Sequence, residues 1–415
     1  MRLLPFLLLW VFSAAGQNTL PPIGSWREHL PYGSTIDVTA SPNKVYAATP
    51  YSLFSVDRAT GEVERRSKIS GLSEVGIGTI EFDVPTNKLF IAYTNSNIDV
   101  LTANGLKNLP DLKRENITGD KAVYHFYPAG ERCYVSTGIG VVVLHTERYE
   151  INDTWLIGRS GGYVKTYMFT ADNTHYYAAT EEGLKRVPLS APNPADFRAW
   201  QTVTVTGGTP PAKGVVTLGG RIVVQQNDSL FVQSGGGWQL FYAGGLPIVS
   251  INESEGRLLV SQMGGTGNAQ VVALNADGTT AAVLRQRGVI EFPRKAIALG
   301  AEYWVADQYT ALSRWSGGVS EQFRLNSPED IATGQLLVAN HTFYAAAGSV
   351  NSSWNYLYNR SGVYQFREGQ WTNYNGFHYP QLTDLMDFIT VAVDPRDQSL
   401  WAGSFGGGLL HVKAP

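Results

Sequence analysis

Cysteine is nearly absent from this chain. Cys133 is the only one, so an intrachain disulfide and a cysteine-based zinc site are both excluded. No stretch beyond the first dozen residues approaches about 18 unbroken apolar positions, so no membrane-spanning helix is expected there. Charge is sparse: Asp, Glu, Lys and Arg make up 16% of the residues, with a net charge of −3. The two signs are interspersed, which argues against nucleic acid and against a polybasic membrane patch. Long runs of Ala, Glu, Lys and Leu at helical spacing are also missing, so helices are not the expected framework. Without disulfides, a 415-residue chain must draw stability from a large core or from sheets closed on themselves, and its length allows one or two domains.

What is present begins with an export signature. Arg2 is followed by an apolar run from Leu3 to Phe12, broken only by Pro5, and then by Ser13-Ala14-Ala15-Gly16. The run is too short to span a bilayer, and the small residues fit a cleavage site that leaves Gln17 as the new N-terminus. Residues 1–16 are expected to be a secretory signal peptide. The mature chain is then exported to the periplasm or the outer-membrane cell surface. No cysteine follows the apolar run, so a lipoprotein is not expected. The 44 Gly, 21 Tyr and 10 Trp favour strands and turns, because aromatic side chains suit a pleated surface and glycine supplies turn conformations.

The strongest feature is a repeat. Lys44-Val45-Tyr46-Ala47-Ala48-Thr49 is followed after a short turn by Leu53-Phe54-Ser55-Val56-Asp57. Thr174-His175-Tyr176-Tyr177-Ala178-Ala179-Thr180 and Gly183-Leu184-Lys185-Arg186-Val187 repeat the phrase. Nine copies are found. Their third residues are Tyr46, Phe90, Tyr134, Tyr177, Val223, Leu259, Trp304, Tyr344 and Trp401, separated by 44, 44, 43, 46, 36, 45, 40 and 57 residues. The last gap holds an insertion, Ser349 to Ser361. Each unit has four strand candidates, which in the first unit are Ile36 to Ala40, Lys44 to Thr49, Ser52 to Asp57 and Glu62 to Ile69. Turn sequences such as Ser41-Pro42-Asn43 separate them. Second strands are nearly all apolar or small, as in a strand covered on both faces, and fourth strands such as Glu62 to Arg66 are polar, as at an outer edge. A period near 45 with four short strands per unit predicts propeller blades. A parallel β-helix would want shorter coils and no hairpin turns.

The predicted fold is therefore all-β: a seven-bladed β-propeller over 17–326, then the first blades of a second, incomplete propeller over 327–415. Asn326-Ser327-Pro328-Glu329-Asp330 reads as the linker. Gly24-Ser25-Trp26-Arg27-Glu28-His29-Leu30-Pro31-Tyr32 resembles fourth-strand phrases such as Gly369 to Asn375, so it is expected to be an orphan fourth strand.

No HExxH, P-loop, GxSxG or EF-hand pattern occurs. The seven histidines, His29, His125, His145, His175, His341, His378 and His411, form no i, i+4 pair, and structural roles are expected for His145 and His411. Cys133 lies in a second strand and reads as a small core residue. Glu181-Glu182 reads as a solvated turn. Gly264-Gly265-Thr266-Gly267 lacks the following helix that an anion cradle needs. No catalytic residue, cofactor or metal is expected. Ligand-binding candidates are the turns between second and third strands, which gather on one face of a propeller: Tyr51, Asn95, Glu182, Asp228 and Tyr309. Tyr and Asn suit sugar or protein contacts.

Trp401-Ala402-Gly403-Ser404-Phe405-Gly406-Gly407-Gly408-Leu409 resembles the repeat phrase of two-component-regulator propellers. Trp26-Arg27-Glu28-His29-Leu30-Pro31-Tyr32-Gly33, with Val45 to Pro50 and Ile69-Ser70-Gly71-Leu72-Ser73, resembles the N-terminal propeller of the PorZ family of the type IX secretion system of Bacteroidetes. That resemblance implies two propellers and a C-terminal β-sandwich, of which this sequence would hold the first propeller and the start of the second. It implies a non-enzymatic role at the cell surface in the attachment complex with the sortase PorU, with PorV and with PorQ, and in handling anionic lipopolysaccharide. Two other readings compete with it. A sensor propeller of a hybrid two-component regulator would need a transmembrane helix and a kinase domain downstream. A propeller lyase or dehydrogenase would need His, Glu or Arg clustered on one face.

Overall fold

A computed structural model describes residues 27–413. The expected signal peptide and residues 24–26 of the expected N-terminal strand lie outside the described residues. Two compact units are present, one over 30–329 and one formed by 27–29 with 330–413. Regular structure is almost entirely strand; among the described residues there are one short α-helix, Asp111–Arg114, and three single-turn 3-10 helices.

Among the described residues the strands form nine antiparallel sheets, eight of four strands and one of three, each with strands hydrogen-bonded in chain order. Sheets 1 to 7, over residues 37–66, 77–109, 123–155, 166–203, 212–242, 248–284 and 293–323, make up the larger unit. Local chemistry explains the hairpins. The threonine that ends the repeat phrase closes the turn between second and third strands: Thr49 Oγ1 donates to the Ser52 carbonyl (3.1 Å), Thr137 Oγ1 to Gly140 (2.9 Å) and Thr180 Oγ1 to Gly183 (2.7 Å). Gly140 sits at φ 136° with the Trp155 carbonyl only 2.2 Å from where a Cβ would stand, so no other residue fits. In sheet 1 the Asp57 carboxylate accepts from the amides of Ala59 (3.0 Å) and Thr60 (2.9 Å), fixing the turn to the fourth strand.

One strand ends earlier than its sequence suggests. The fourth strand of sheet 1 is Val63–Arg66, not Glu62 to Ile69. Ser67 stops it: its amide donates to Ser70 Oγ (2.7 Å) and its carbonyl accepts from Leu72 (2.9 Å), folding the chain back.

Contacts between sheets run in circular order. The first strand of each sheet lies beside the first strand of the next, and the first strand of sheet 7 (Pro293–Leu299) lies beside that of sheet 1 (Asp37–Ala40). An apolar cluster fills each junction. Sheets 2 and 3 share Phe90, Phe126, Cys133 and Val135, and sheets 7 and 1 share Ile297, Trp304, Val38 and Phe54. Between sheets 3 and 4, Tyr134 stacks on Phe169 at 4.8 Å and its hydroxyl lies 2.8 Å from that of Tyr176. The aromatic third residues of the repeat are thus the layers between blades: Phe90, Tyr134, Tyr177 and Trp304 are each at most 2% exposed, while Tyr46 and Trp401 are half-buried. Aromatic burial of this kind contributes about 1.5–3 kcal/mol per side chain. Sheets 7 and 1 are also tied through the backbone. The Thr35 amide donates to the Asp307 carbonyl (3.1 Å), and the Asp307 amide donates to Thr35 Oγ1 (2.9 Å).

The N-terminal phrase is not a strand over residues 27–32. Sheet 7 already has its own fourth strand, Val319–Phe323, so the phrase does not complete that sheet. Tyr32 instead plugs the core between sheets 7 and 1, against Phe54. In the other unit, His29 packs edge-on against Phe366 (4.6 Å) and Trp371 (5.2 Å). That unit holds sheets 8 (residues 336–374) and 9 (residues 388–412), joined by Tyr344, Val363, Phe388 and Leu400. The insertion falls between Thr342–Ala346 and Val363–Arg367. It is held by the Asp387 carboxylate, which accepts from the amides of Leu357 (3.1 Å), Tyr358 (2.9 Å) and Asn359 (2.9 Å).

Candidate functional site

Each of the five turn candidates sits between a second and a third strand, at the end of the ring where the first strands begin, since Asp37 pairs with Ala48 just before the turn. Asp228 and Glu182 bond outside their own turns, and Asn95 and Tyr51 bond within theirs. Asp228 Oδ1 accepts from the Ile248 amide of the next sheet (3.0 Å). Glu182 accepts from the Arg159 amide (3.3 Å) and pairs with the buried Lys185 (2.6 Å). Burial would raise the Glu182 pKa, and those partners outweigh it and lower it. Asn95 Oδ1 caps its own turn on the Asn97 amide (3.1 Å). Tyr51 is half-buried, its amide on Thr49 Oγ1 (3.2 Å). Tyr309 is 54% exposed and leans on Phe292 at 5.6 Å. None of the five lines the cavities on the ring axis.

Those cavities are built from the first strands. One, of 320 Å³, takes residues from all seven sheets at the end where the first strands begin. A second, of 390 Å³, lies further along the axis on sheets 2 to 6. Strand pairing explains the first. In six of the seven sheets the first strand carries one unpaired extra residue near its start. These bulged residues are Gly78, Tyr124, Tyr167, Lys213, Val249 and Arg294. A bulge turns its extra residue out of the alternation of the strand, and all six line the cavity. The mouth is asymmetric as a result. Sheets 5 and 7 supply the cations Lys213 and Arg294 on either side of Val249. Sheets 3 and 4 supply Tyr124 and Tyr167, whose rings are 6.0 Å apart. Lys165 stands over both, 4.7 and 5.8 Å from their centroids.

His125, Met168 and Asn252 border both cavities, and Lys295 reaches to Asp37 (3.0 Å) on neighbouring sheet 1 and to Glu81 (2.9 Å) on sheet 2. Burial alone would lower the Lys295 pKa, and the two carboxylates outweigh it and raise it. Burial raises the Glu81 pKa against the pull of Lys295. His125 is held neutral: burial, with Lys295 adding to it, brings its pKa down to about 3. Its Nδ1 is sealed and has no hydrogen-bond partner among the described residues. Among the described residues no group of His, Cys, Asp and Glu is placed to hold a metal, and no helix is long and apolar enough to cross a membrane.

Sequence reasoning passed over the axial residues. A trace of them was visible, since Arg294-Lys295, Glu81 and His125 place charged or titratable groups among the apolar residues of first strands.

The circle of four-stranded meanders stacked through aromatic layers defines a β-propeller protein. Residues 45–201 match the family model of the PorZ N-terminal β-propeller domain of the type IX secretion system. Over those residues the chain is similar to the PorZ N-terminal propeller, in keeping with the resemblance read from its repeats. Among solved structures it is similar to PorZ of Porphyromonas gingivalis, described as an essential bacterial surface component of the type IX secretion system, with a TM-score of 0.80 at 21% identity. That likeness covers 94% of this chain and 52% of the PorZ chain, so this chain spans about half of its relative's length. No curated protein matches.

Proposed function

We propose that this chain is a non-enzymatic component of the type IX secretion attachment complex, exported to the cell surface, where it supports anchoring of secreted cargo. In this reading residues 1–16 are the signal peptide that sends it out. Sheets 1 to 7 form one complete propeller over 17–326, and sheets 8 and 9 are the first blades of a second over 327–415. Its partners are the sortase PorU, PorV and PorQ, and its ligand is anionic lipopolysaccharide. The observation that carries the reading is the match of residues 45–201 to the PorZ propeller domain. The circular packing of the seven sheets supports it, because closure leaves propeller faces and an axial mouth as contact surfaces.

Affinity capture of the tagged chain from outer membranes tests this. Recovery of PorU, PorV or PorQ, or of anionic polysaccharide, is expected. Recovery of none of them at good yield of the bait overturns it.

A further inference from the structure

Two cations at the channel mouth stand without a counter-charge. Lys213 and Arg294 are exposed, and among the described residues neither is paired with a carboxylate; the Arg294 guanidinium rests only over the Phe292 ring, at 5.2 Å. Two acids stand at the mouth, and both are engaged elsewhere: Asp37 in the lining accepts from Lys295, from Thr79 Oγ1 (2.6 Å) and from the Ile80 amide (2.9 Å), and Asp120 beside it accepts from the Tyr124 hydroxyl (2.6 Å) and pairs with Lys165 (3.7 Å). A solvated surface would leave such cations pointing anywhere. Here the bulges hold both of them on the rim of one cavity. Across the rim are two tyrosine rings, and at the floor is His125 with its unpartnered, sealed Nδ1. Gly78 leaves the sheet 2 side of the rim without a side chain.

These features describe one kind of ligand. Cations on one wall bind a carboxylate or phosphate through charge-assisted hydrogen bonds. Aromatic rings on the other offer an apolar body with a polar tip, which suits the face and hydroxyls of a pyranose. The 320 Å³ volume lies at the small end of the range of about 300–1,000 Å³ for ligand pockets.

We propose that the bulge-lined mouth of the channel binds a single acidic sugar unit, free or at a chain end, with its anionic group on Lys213 and Arg294 and its ring against Tyr124 and Tyr167. This deepens the reading above by giving its polysaccharide ligand a place and a polarity.

The test is saturation-transfer NMR and calorimetry on the full chain with glucuronic acid, glucose and inorganic phosphate. Glucuronic acid is expected to bind, and glucose and phosphate alone to bind far more weakly. Lys213→Ala and Arg294→Ala should each weaken glucuronic acid about tenfold, the equivalent of one charge-assisted hydrogen bond. Gly78→Trp should abolish binding while leaving both cations in place; a Cβ there has its nearest neighbour at 3.7 Å, so a side chain is tolerated. Unchanged circular dichroism guards against misfolding. No binding of glucuronic acid, unchanged affinity in the cation variants, or equal binding of glucose or phosphate overturns the site. Capture of PorU, PorV or PorQ by the chain in that event would sink the site alone and leave the secretion reading standing.

Discussion

Replacing Lys295 with methionine tests how the ring is locked. Lys295 reaches from the last of the seven sheets to carboxylates on the first two, Asp37 at 3.0 Å and Glu81 at 2.9 Å. Its side chain is 14% exposed, and those of its partners are 7% and 26% exposed. Methionine keeps the volume but strands two negative charges. Breaking a buried pair costs about 3–5 kcal/mol, and the partial exposure of Glu81 puts this case near 3. Unfolding entropy of about 2.1 cal/mol/K per residue over the roughly 300 residues of this unit converts that to a Tm lowered by about 5 °C. The pH dependence has a definite sign. The Glu81 carboxyl is raised in the folded state, so its contribution to stability is fully present below the ordinary Glu range and is lost as pH rises through the raised value. Removing Lys295 raises it further, so the deficit of Lys295→Met should be larger at about pH 8 than at about pH 5. Adding Asp37→Asn and Glu81→Gln should restore much of the loss, because a neutral trio needs no counter-charge. Calorimetric melting at both pH values is the assay. A Lys295→Met protein melting within about 1 °C of the unsubstituted chain at the higher pH, or a deficit insensitive to pH, would refute the reasoning.

Other consequences are open to simpler measurements. Thr35→Ala removes the hydroxyl that pairs with the Asp307 amide between sheets 7 and 1, and should cost about 1–3 kcal/mol in denaturant melts while Thr35→Ser costs little. Gly140→Ala forces a Cβ against the Trp155 carbonyl at φ 136°; expression should fall into the insoluble fraction, and a soluble protein with an unchanged melt would contradict the turn geometry. Asp387→Ala frees three backbone amides of the insertion, so limited proteolysis should gain a site between residues 351 and 359. The Cys133 thiol is buried, and burial, with Asp83 and Glu81 adding to it, raises its pKa. Thiol reagent should therefore label it only after denaturant is added.

How much of this was legible beforehand differs by residue. The second strands announced themselves, because Val45, Ala47 and Ala48 or Val135 and Ser136 are covered on both faces and must be apolar or small wherever they sit. The threonine after them was visible as a pattern, and its hydroxyl on the turn carbonyl is the reason for it. The end of the fourth strand at Arg66 was not legible, since a serine turn outweighed residues that alternate like a strand. The N-terminal phrase misled for a related reason: it has fourth-strand composition, but residues 27–32 form no strand and Tyr32 fills the core between sheets 7 and 1 instead. The turn candidates Tyr51, Asn95, Glu182, Asp228 and Tyr309 were located correctly as turns, and the bonds of Asp228 to sheet 6 and of Glu182 to Arg159 could not be read from the sequence.

The chain's own order of residues decided everything that depends on local burial and local turns: nine meanders, a period near 45, polar outer edges and aromatic layers wanting a neighbour. Only the tertiary structure decided which residues face the axis. A bulge exists only relative to the strand it is paired with, so whether Lys213 or Gly214 turns toward the channel cannot be read from either residue. The charge state of Lys295 likewise depends on carboxylates 258 and 214 residues away, at Asp37 and Glu81, which come within hydrogen-bonding distance only because the last sheet packs against the first.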